Sequence, residues 1–187
     1  MEQIEIKGFI STDYHVNEAY EALRNNLLFL EKDIKIVGIT SFNKDDKKSV
    51  VSLNLAIALA KAGRKVVLID SYFLYNITPM EENLCKTDFE NLDIIISNKA
   101  IQKPTVRIDI EKSSELMEKL SQSYDYILLE LPLIDDVLNV METVKFCEGI
   151  VVMIEANTVS YQACRKYKEK LELTGIPIIG AILLGGS

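Results

Sequence analysis

Histidine is almost missing from this chain: His15 is the only one among 187 residues. A lone imidazole, placed ahead of the first expected helix, speaks against a zinc site or a histidine-based triad and for a solvated side chain. Cysteine is scarce as well. Cys85, Cys147 and Cys164 are odd in number, widely spaced and without metal-ligand spacing, which predicts reduced thiols in a cytosolic protein. No apolar run approaches the ~20 residues that cross a bilayer, and the N-terminus lacks the apolar stretch of a signal peptide. Clustered basic residues are also lacking. The formal net charge is −7 with acids spread along the chain, which argues against nucleic acid as a partner. Only four prolines and eight glycines punctuate the sequence, and there is no repeat, low-complexity tract or linker. One compact domain over residues 1–187 is expected, with 1–15 as an N-terminal extension.

What is present is an apolar fraction of 48%, enough for a sizeable core, arranged in alternating patterns. Residues 16–30 carry Tyr20, Leu23, Leu27 and Leu30 at three- and four-residue steps, the signature of an amphipathic helix. A strand is expected over 34–40 and a polar loop over 41–47. The helix expected over 49–62 is apolar nearly all round and therefore buried, with Gly63 ending it. Strands are expected over 66–70, 92–96, 126–131, 149–154 and 178–184. Helices are expected over 113–122, 135–145 and 158–174, and 71–91 reads as irregular. This alternation predicts an α/β fold: a doubly wound, mostly parallel sheet with helices on both faces. Ligands then bind beyond the carboxyl ends of the strands, after Thr40, Asp70, Leu131 and Ile154.

The first strand, loop and helix carry the most information. Thr40-Ser41-Phe42-Asn43-Lys44-Asp45-Asp46-Lys47-Lys48-Ser49 places Lys-Ser at a helix start behind a polar loop, the layout of a phosphate-binding P-loop. Main-chain N–H groups of such a loop converge on the phosphates, and the helix N-terminus adds partial positive charge. The lysine reaches the outer phosphates and the hydroxyl binds magnesium.

With Asn54-Leu55-Ala56 at the right spacing downstream, this stretch resembles the T-S-x-x-P-G-E-G-K-S-T-x-x-x-N-L-A motif of bacterial tyrosine kinases, which are related to MinD/ParA-type ATPases. Three further segments carry the resemblance. Val66-Val67-Leu68-Ile69-Asp70 is similar to the family's strand ending I-D-A-D, and Tyr124-Asp125-Tyr126-Ile127-Leu128-Leu129-Glu130-Leu131-Pro132 to its Y-D-Y-I-I-I-D-T-P-P strand. Glu18-Ala19-Tyr20-Glu21-Ala22-Leu23-Arg24-Asn25-Asn26 resembles its E-A-Y-R-x-L-R-T-N helix. The resemblance implies a P-loop NTPase fold of the MinD/ParA kind. It also implies Mg-ATP as the ligand, with Lys48, Ser49, Asp45 and Lys47 in the former phosphate loop and Ser49, Asp70 and Glu130 around the metal. Asp70 would be the catalytic carboxylate, now vestigial.

The departures from the motif are as telling. Asp45 and Lys47 stand where the family has glycine and Lys44 where it has proline, so side chains are expected to crowd the phosphate cradle. Asp45 and Asp46 bring negative charge towards an anion. Tyr72 replaces the second acid of I-D-A-D, Glu130 is one methylene longer than the family's aspartate, and Asn139 replaces a later aspartate. Leu184 stands where an asparagine meets the base, and Glu21 replaces the arginine of the helix. A tyrosine-rich tail has no counterpart before Gly185-Gly186-Ser187. The bland reading of Lys48 and Ser49 is a polar helix start, that of Asp70 a solvated strand end, and that of Asp45, Asp46, Asp135 and Asp136 a solvated face.

Three functions follow as expectations. The first is a degenerate kinase-like domain without a cofactor, which regulates capsular or exopolysaccharide biosynthesis and export. It would do so by docking, in the cytoplasm at the inner face of the membrane, to the cytoplasmic segment of a membrane polysaccharide co-polymerase or chain-length regulator. The second is an active, autophosphorylating tyrosine kinase using Mg-ATP. The third is a MinD/ParA-like positioning ATPase. The helix over 18–30, with Glu18 at its start and Leu30 at its end, is a candidate for homo- or hetero-oligomer contacts.

Overall fold

The structure, a computed structural model, describes residues 3–6, 13–30, 34–42, 47–79, 83–97, 107–134 and 136–185. In chain order the elements are β1 (Gln3–Ile4), α1 (Tyr14–Leu28), β2 (Ile36–Ser41), α2 (Lys48–Lys61), β3 (Val66–Asp70), a 3-10 helix (Ser71–Tyr75), β4 (Leu84–Thr87) and β5 (Leu92–Ile95). There follow α3 (Ile110–Ser123), β6 (Tyr126–Glu130), α4 (Val137–Thr143), a 3-10 turn (Val144–Phe146), β7 (Gly149–Glu155), α5 (Tyr161–Glu172) and β8 (Ile178–Leu184). The strands form one eight-stranded sheet in the order β1-β4-β5-β3-β6-β2-β7-β8. All neighbours pair in parallel except β4 and β5, which are antiparallel.

Alternate strand residues feed two apolar layers, as the period of two requires. Val67, Ile69, Ile127, Leu129, Ile150 and Val152 pack with Leu116, Met117 and Leu120 of α3, Val140 of α4 and Leu171 of α5. Val37, Ile39, Leu68, Leu128, Val151 and Met153 pack with α2 and with Leu27 of α1. Helices thus cover both faces, as the alternation predicts. α2 lies between the sheet and α1, so every residue from Val51 through Ala60 is buried. Tyr20, Leu23 and Leu27 of α1 face this layer together with Leu30, which lies just beyond the helix end at Leu28 rather than within it. Gly63 ends α2 with φ +79, a conformation that L side chains rarely adopt. Gly38, in β2, answers a different need: a Cβ there would lie 2.7 Å from Cys147 Sγ and from Leu131 Cδ1.

Three details differ from expectation. The 71–91 stretch contains the 3-10 helix and β4, whose four residues are too few to show a period. The segment read as an N-terminal extension contributes β1 to the sheet edge and Ile6 to the core, where it is only 2% exposed. His15 lies inside α1 rather than ahead of it, because Asp13 caps the helix by accepting from His15 N.

Candidate functional site

The carboxyl ends of β2, β3 and β6 meet the start of α2, which brings polar groups from three distant segments together. β2 ends at Thr40-Ser41, both fully buried, and Thr40 Oγ1 donates to the Pro132 carbonyl at 2.8 Å. That bond ties the end of β2 to the segment leaving β6. On the first turn of α2, Lys48 Nζ donates to the Leu131 carbonyl at 2.5 Å. Ser49 Oγ donates to Glu130 Oε2 at 3.0 Å. Asp70 and Glu130 are direct partners in the β3–β6 ladder, so two carboxylates stand side by side at neighbouring strand ends.

Their chemistry is set by enclosure. Burial pushes the Glu130 carboxyl above its ordinary value, opposed by the Lys48 charge and the Ser49 hydrogen bond, while the neighbouring Asp70 pushes it further up. Asp70 is also raised, again chiefly by burial, against a hydrogen bond from Tyr72 N at 3.0 Å and the Lys48 charge. Glu130 Oε1 is buried and accepts no hydrogen bond. Ser52, one turn beyond Ser49, helps to hold the Glu130 carboxylate down in pKa, although its hydroxyl makes no hydrogen bond of normal geometry. Nothing in the motif marked Ser52; its i+3 spacing from Ser49 is the only signal it carries.

Around the third side of the site runs a network in which aromatic and amide groups stand where the resemblance expects acids. Tyr72 opens the 3-10 helix after Asp70, and its ring lies 6.2 Å from that of Tyr75. Burial, Asp136 and Asp70 all raise the Tyr72 hydroxyl above its ordinary pKa. Tyr75 Oη donates to Asn139 Oδ1 at 2.9 Å, and Asn139 Nδ2 donates to Asp136 Oδ2 at 2.7 Å. Asp136, expected on a solvated face, is therefore half-buried and bonded. Tyr75 was not among the expected site residues, since only the fold brings it to Asn139.

Lys47 is exposed at the N-cap of α2 with φ −75 and ψ 32, a backbone that any residue adopts. A β-carbon at this position, where the resembled motif has glycine, thus causes no local backbone strain, and the Lys47 carbonyl accepts from Val51 N at 2.8 Å. Asn43, Lys44, Asp45 and Asp46 lie outside the described residues, as does Asp135.

The residues present fit a magnesium ion on one side. Glu130 Oε1 is a buried acceptor with no partner, the Ser49 hydroxyl sits at the other oxygen of the same carboxylate, and Asp70 is adjacent. Among the described residues no group of three or more His, Cys, Asp or Glu is placed to hold a metal by itself. A magnesium ion at Ser49, Asp70 and Glu130 would complete its shell from water and phosphate oxygens, the usual habit of this cation.

Comparison with known proteins agrees with this architecture. No family model matches the chain. It is 27% identical over 187 aligned residues to the tyrosine-protein kinase CpsD of Streptococcus agalactiae, covering 89% of this chain and 82% of that one. Among solved structures, the chimerical protein CapA2B2 superposes with a TM-score of 0.84 at 21% identity, covering 98% of this chain and 92% of that one. The septum site-determining protein MinD of Pyrococcus horikoshii, complexed with Mg-ADP, superposes with a TM-score of 0.62 at 23% identity, covering 80% and 69%. Among the described residues no helix is long and apolar enough to cross a membrane. The chain is related in sequence to the bacterial tyrosine-protein kinases, and its fold is the P-loop ATPase fold that it shares with MinD.

Proposed function

We propose that this chain is a kinase-like domain of capsular or exopolysaccharide biosynthesis that acts by docking rather than by steady phosphoryl transfer. Its partner is the cytoplasmic segment of a membrane polysaccharide co-polymerase, which holds it at the inner face of the membrane. The observation that carries this reading is Tyr72. Where a second strand-end acid would complete the metal and base chemistry, an aromatic side chain packs near Tyr75. The remaining acids, Asp70 and Glu130, are both pushed towards protonation by burial, which weakens them as metal ligands. The loop ahead of Lys48 adds Asp45 and Asp46 and no glycine, so its negative charge opposes a triphosphate.

One observation favours a second reading, an active Mg-ATP-dependent tyrosine kinase: Ser49 and Glu130 keep a mutual contact with a buried carboxylate oxygen left open. Bound Mg-ATP would supply the transferable phosphoryl group, Lys48 would hold its charge, and Ser49, Asp70 and Glu130 would hold the metal.

Isothermal titration with ATP and magnesium separates the two. The docking reading expects no binding or binding only at millimolar ligand, and a melting-temperature rise below about 2 °C at about 1 mM Mg-ATP. Micromolar, magnesium-dependent binding that disappears in Lys48→Met, together with phosphotyrosine on the protein after co-expression with a membrane partner, would replace it with the kinase reading.

A further inference from the structure

The two edges of the sheet are built differently. β1, at one end, is two residues long, too short to offer a template to another strand. β8, at the other end, runs seven residues, Ile178-Ile179-Gly180-Ala181-Ile182-Leu183-Leu184, with neither charge nor proline. Its inner side is bonded in parallel to β7, and no described strand lies on its outer side. Sheets ordinarily protect such an edge with lysine, proline, a bulge or a covering segment. Here the one irregularity of the pairing falls at Ile150/Val151, near the beginning of the strand, and the rest is regular.

The side chains of β8 divide between the two faces. Ile179, Ile182 and Leu184 pack into the layer of α1 and α2. Ala181 and Leu183 share the other face; both are exposed, Leu183 at 72%. Between this edge and α5 lies a groove of about 680 Å³, whose apolar lining includes Ile154, Cys164, Ile178 and Ala181. An apolar strand with no described strand on its outer side therefore borders an apolar groove.

We propose that β8 is the surface through which two copies of this chain associate, strand against strand across a twofold axis, so that one sheet continues into the other. A twofold axis sets each residue against a copy of its own neighbourhood, and the surface must tolerate its own image. β8 does so. It has no charge to meet a like charge, and its middle residues, Gly180 and Ala181, are small, with nothing within 4 Å of a Cβ placed on Gly180. The charged residues at the rim of the groove cancel in two i,i+4 pairs, Arg165–Glu169 at 3.0 Å and Lys168–Glu172 at 2.6 Å. Nothing at the rim selects a charged peptide. The force opposing association is the net charge of −7 on each chain, a long-range repulsion that salt screens. Pairing through an uncharged strand therefore tightens as salt is added.

Sedimentation velocity over a concentration series tests this. The wild-type chain is expected to show a monomer–dimer equilibrium in the micromolar range that tightens between about 50 and about 500 mM salt. Leu183→Lys and Ala181→Lys, both at exposed positions, should each weaken the dimer by ~10-fold or more with unchanged circular dichroism. Val16→Lys on α1 should leave it intact. Hydrogen exchange should show β8 amides gaining protection as concentration rises. A wild-type chain that stays monomeric up to about 200 µM, well above the micromolar range, overturns the proposal. So does a dimer indifferent to both lysine substitutions, a dimer lost with Val16→Lys, or a monomer that takes up an extended apolar peptide along β8 instead.

Discussion

Glu130 holds more consequences than any other single residue of the site. Burial raises its pKa and that of Asp70 above their ordinary values, so the folded protein keeps protons that the unfolded chain has already released. The stability tied to these two carboxyls is whole below the unfolded carboxylate range and is lost as pH rises through the raised folded values. Glu130→Gln removes one of the two buried ionisations while keeping an acceptor for Ser49. At pH ~7.5 the variant should melt about 2–4 °C higher than wild type, the shift that ~1 kcal/mol produces in a chain of this size. The difference should close below about pH 4, where both forms of wild type are protonated. Calorimetric melting at both pH values checks this; a variant less stable at pH ~7.5 would mean that the Ser49–Glu130⁻ contact outweighs burial. The same residue shows what pattern reading reaches. Glu130 is legible as a strand-end acid, but its contact with Ser49 spans 81 positions of sequence, and no periodicity carries information over that distance.

At the scale of elements, two glycines work for opposite reasons and give separable predictions. Gly63 ends α2 at φ +79 with nothing within 4 Å of an added Cβ, so Gly63→Ala pays only for backbone conformation, about 1–2 kcal/mol. Asn tolerates that conformation better, and Gly63→Asn should recover part of the loss. Gly38 has ordinary backbone angles, but an added Cβ would collide with Cys147 and Leu131. Gly38→Ala should cost about 1–3 kcal/mol by overpacking, and no small polar residue would restore it. Urea midpoints at constant slope measure both. Gly63 is legible in the sequence as a helix terminator, whereas Gly38 reads only as one residue of an apolar strand. Its crowding exists because β2 lies between β6 and β7, beside Leu131 and Cys147, which follow or precede those strands. Strands β3 and β8 have the bounds their apolar runs predict. β4 escaped because four residues are too few to show a period, and its exposed Lys86 is placed by an ion pair with Asp93 across the ladder.

For the whole molecule, the sheet depends at one end on a segment remote from it in sequence. β1 pairs with β4, Ile6 N donates to Asp88 Oδ1 at 2.9 Å, and the Ile6 side chain is buried in the layer of α1 and α2. Ile6→Ala should therefore destabilise the entire domain by about 2–4 kcal/mol, as deletion of a buried aliphatic side chain does. A single cooperative transition shifted to lower denaturant is the expected record. A change confined to local proteolysis near the N-terminus, with the main transition unmoved, would show that β1 is an appendage. Doubly wound architecture itself is visible in the alternation of apolar strands and amphipathic helices, because each element must bury one face and only a few layer arrangements allow it.

The sequence alone determined the class of fold and the alternation of its main strands and helices, because hydrophobic periodicity and local motifs are written in adjacent residues. Tertiary structure decided how the candidate site is arranged. It set Asp70 beside Glu130, turned Ser49 and Lys48 towards β6, filled the second acid position with a tyrosine tied into an aromatic and amide network, and left β8 as an apolar edge. Each of these depends on which strands lie side by side, and that order is settled by packing among residues far apart in the chain.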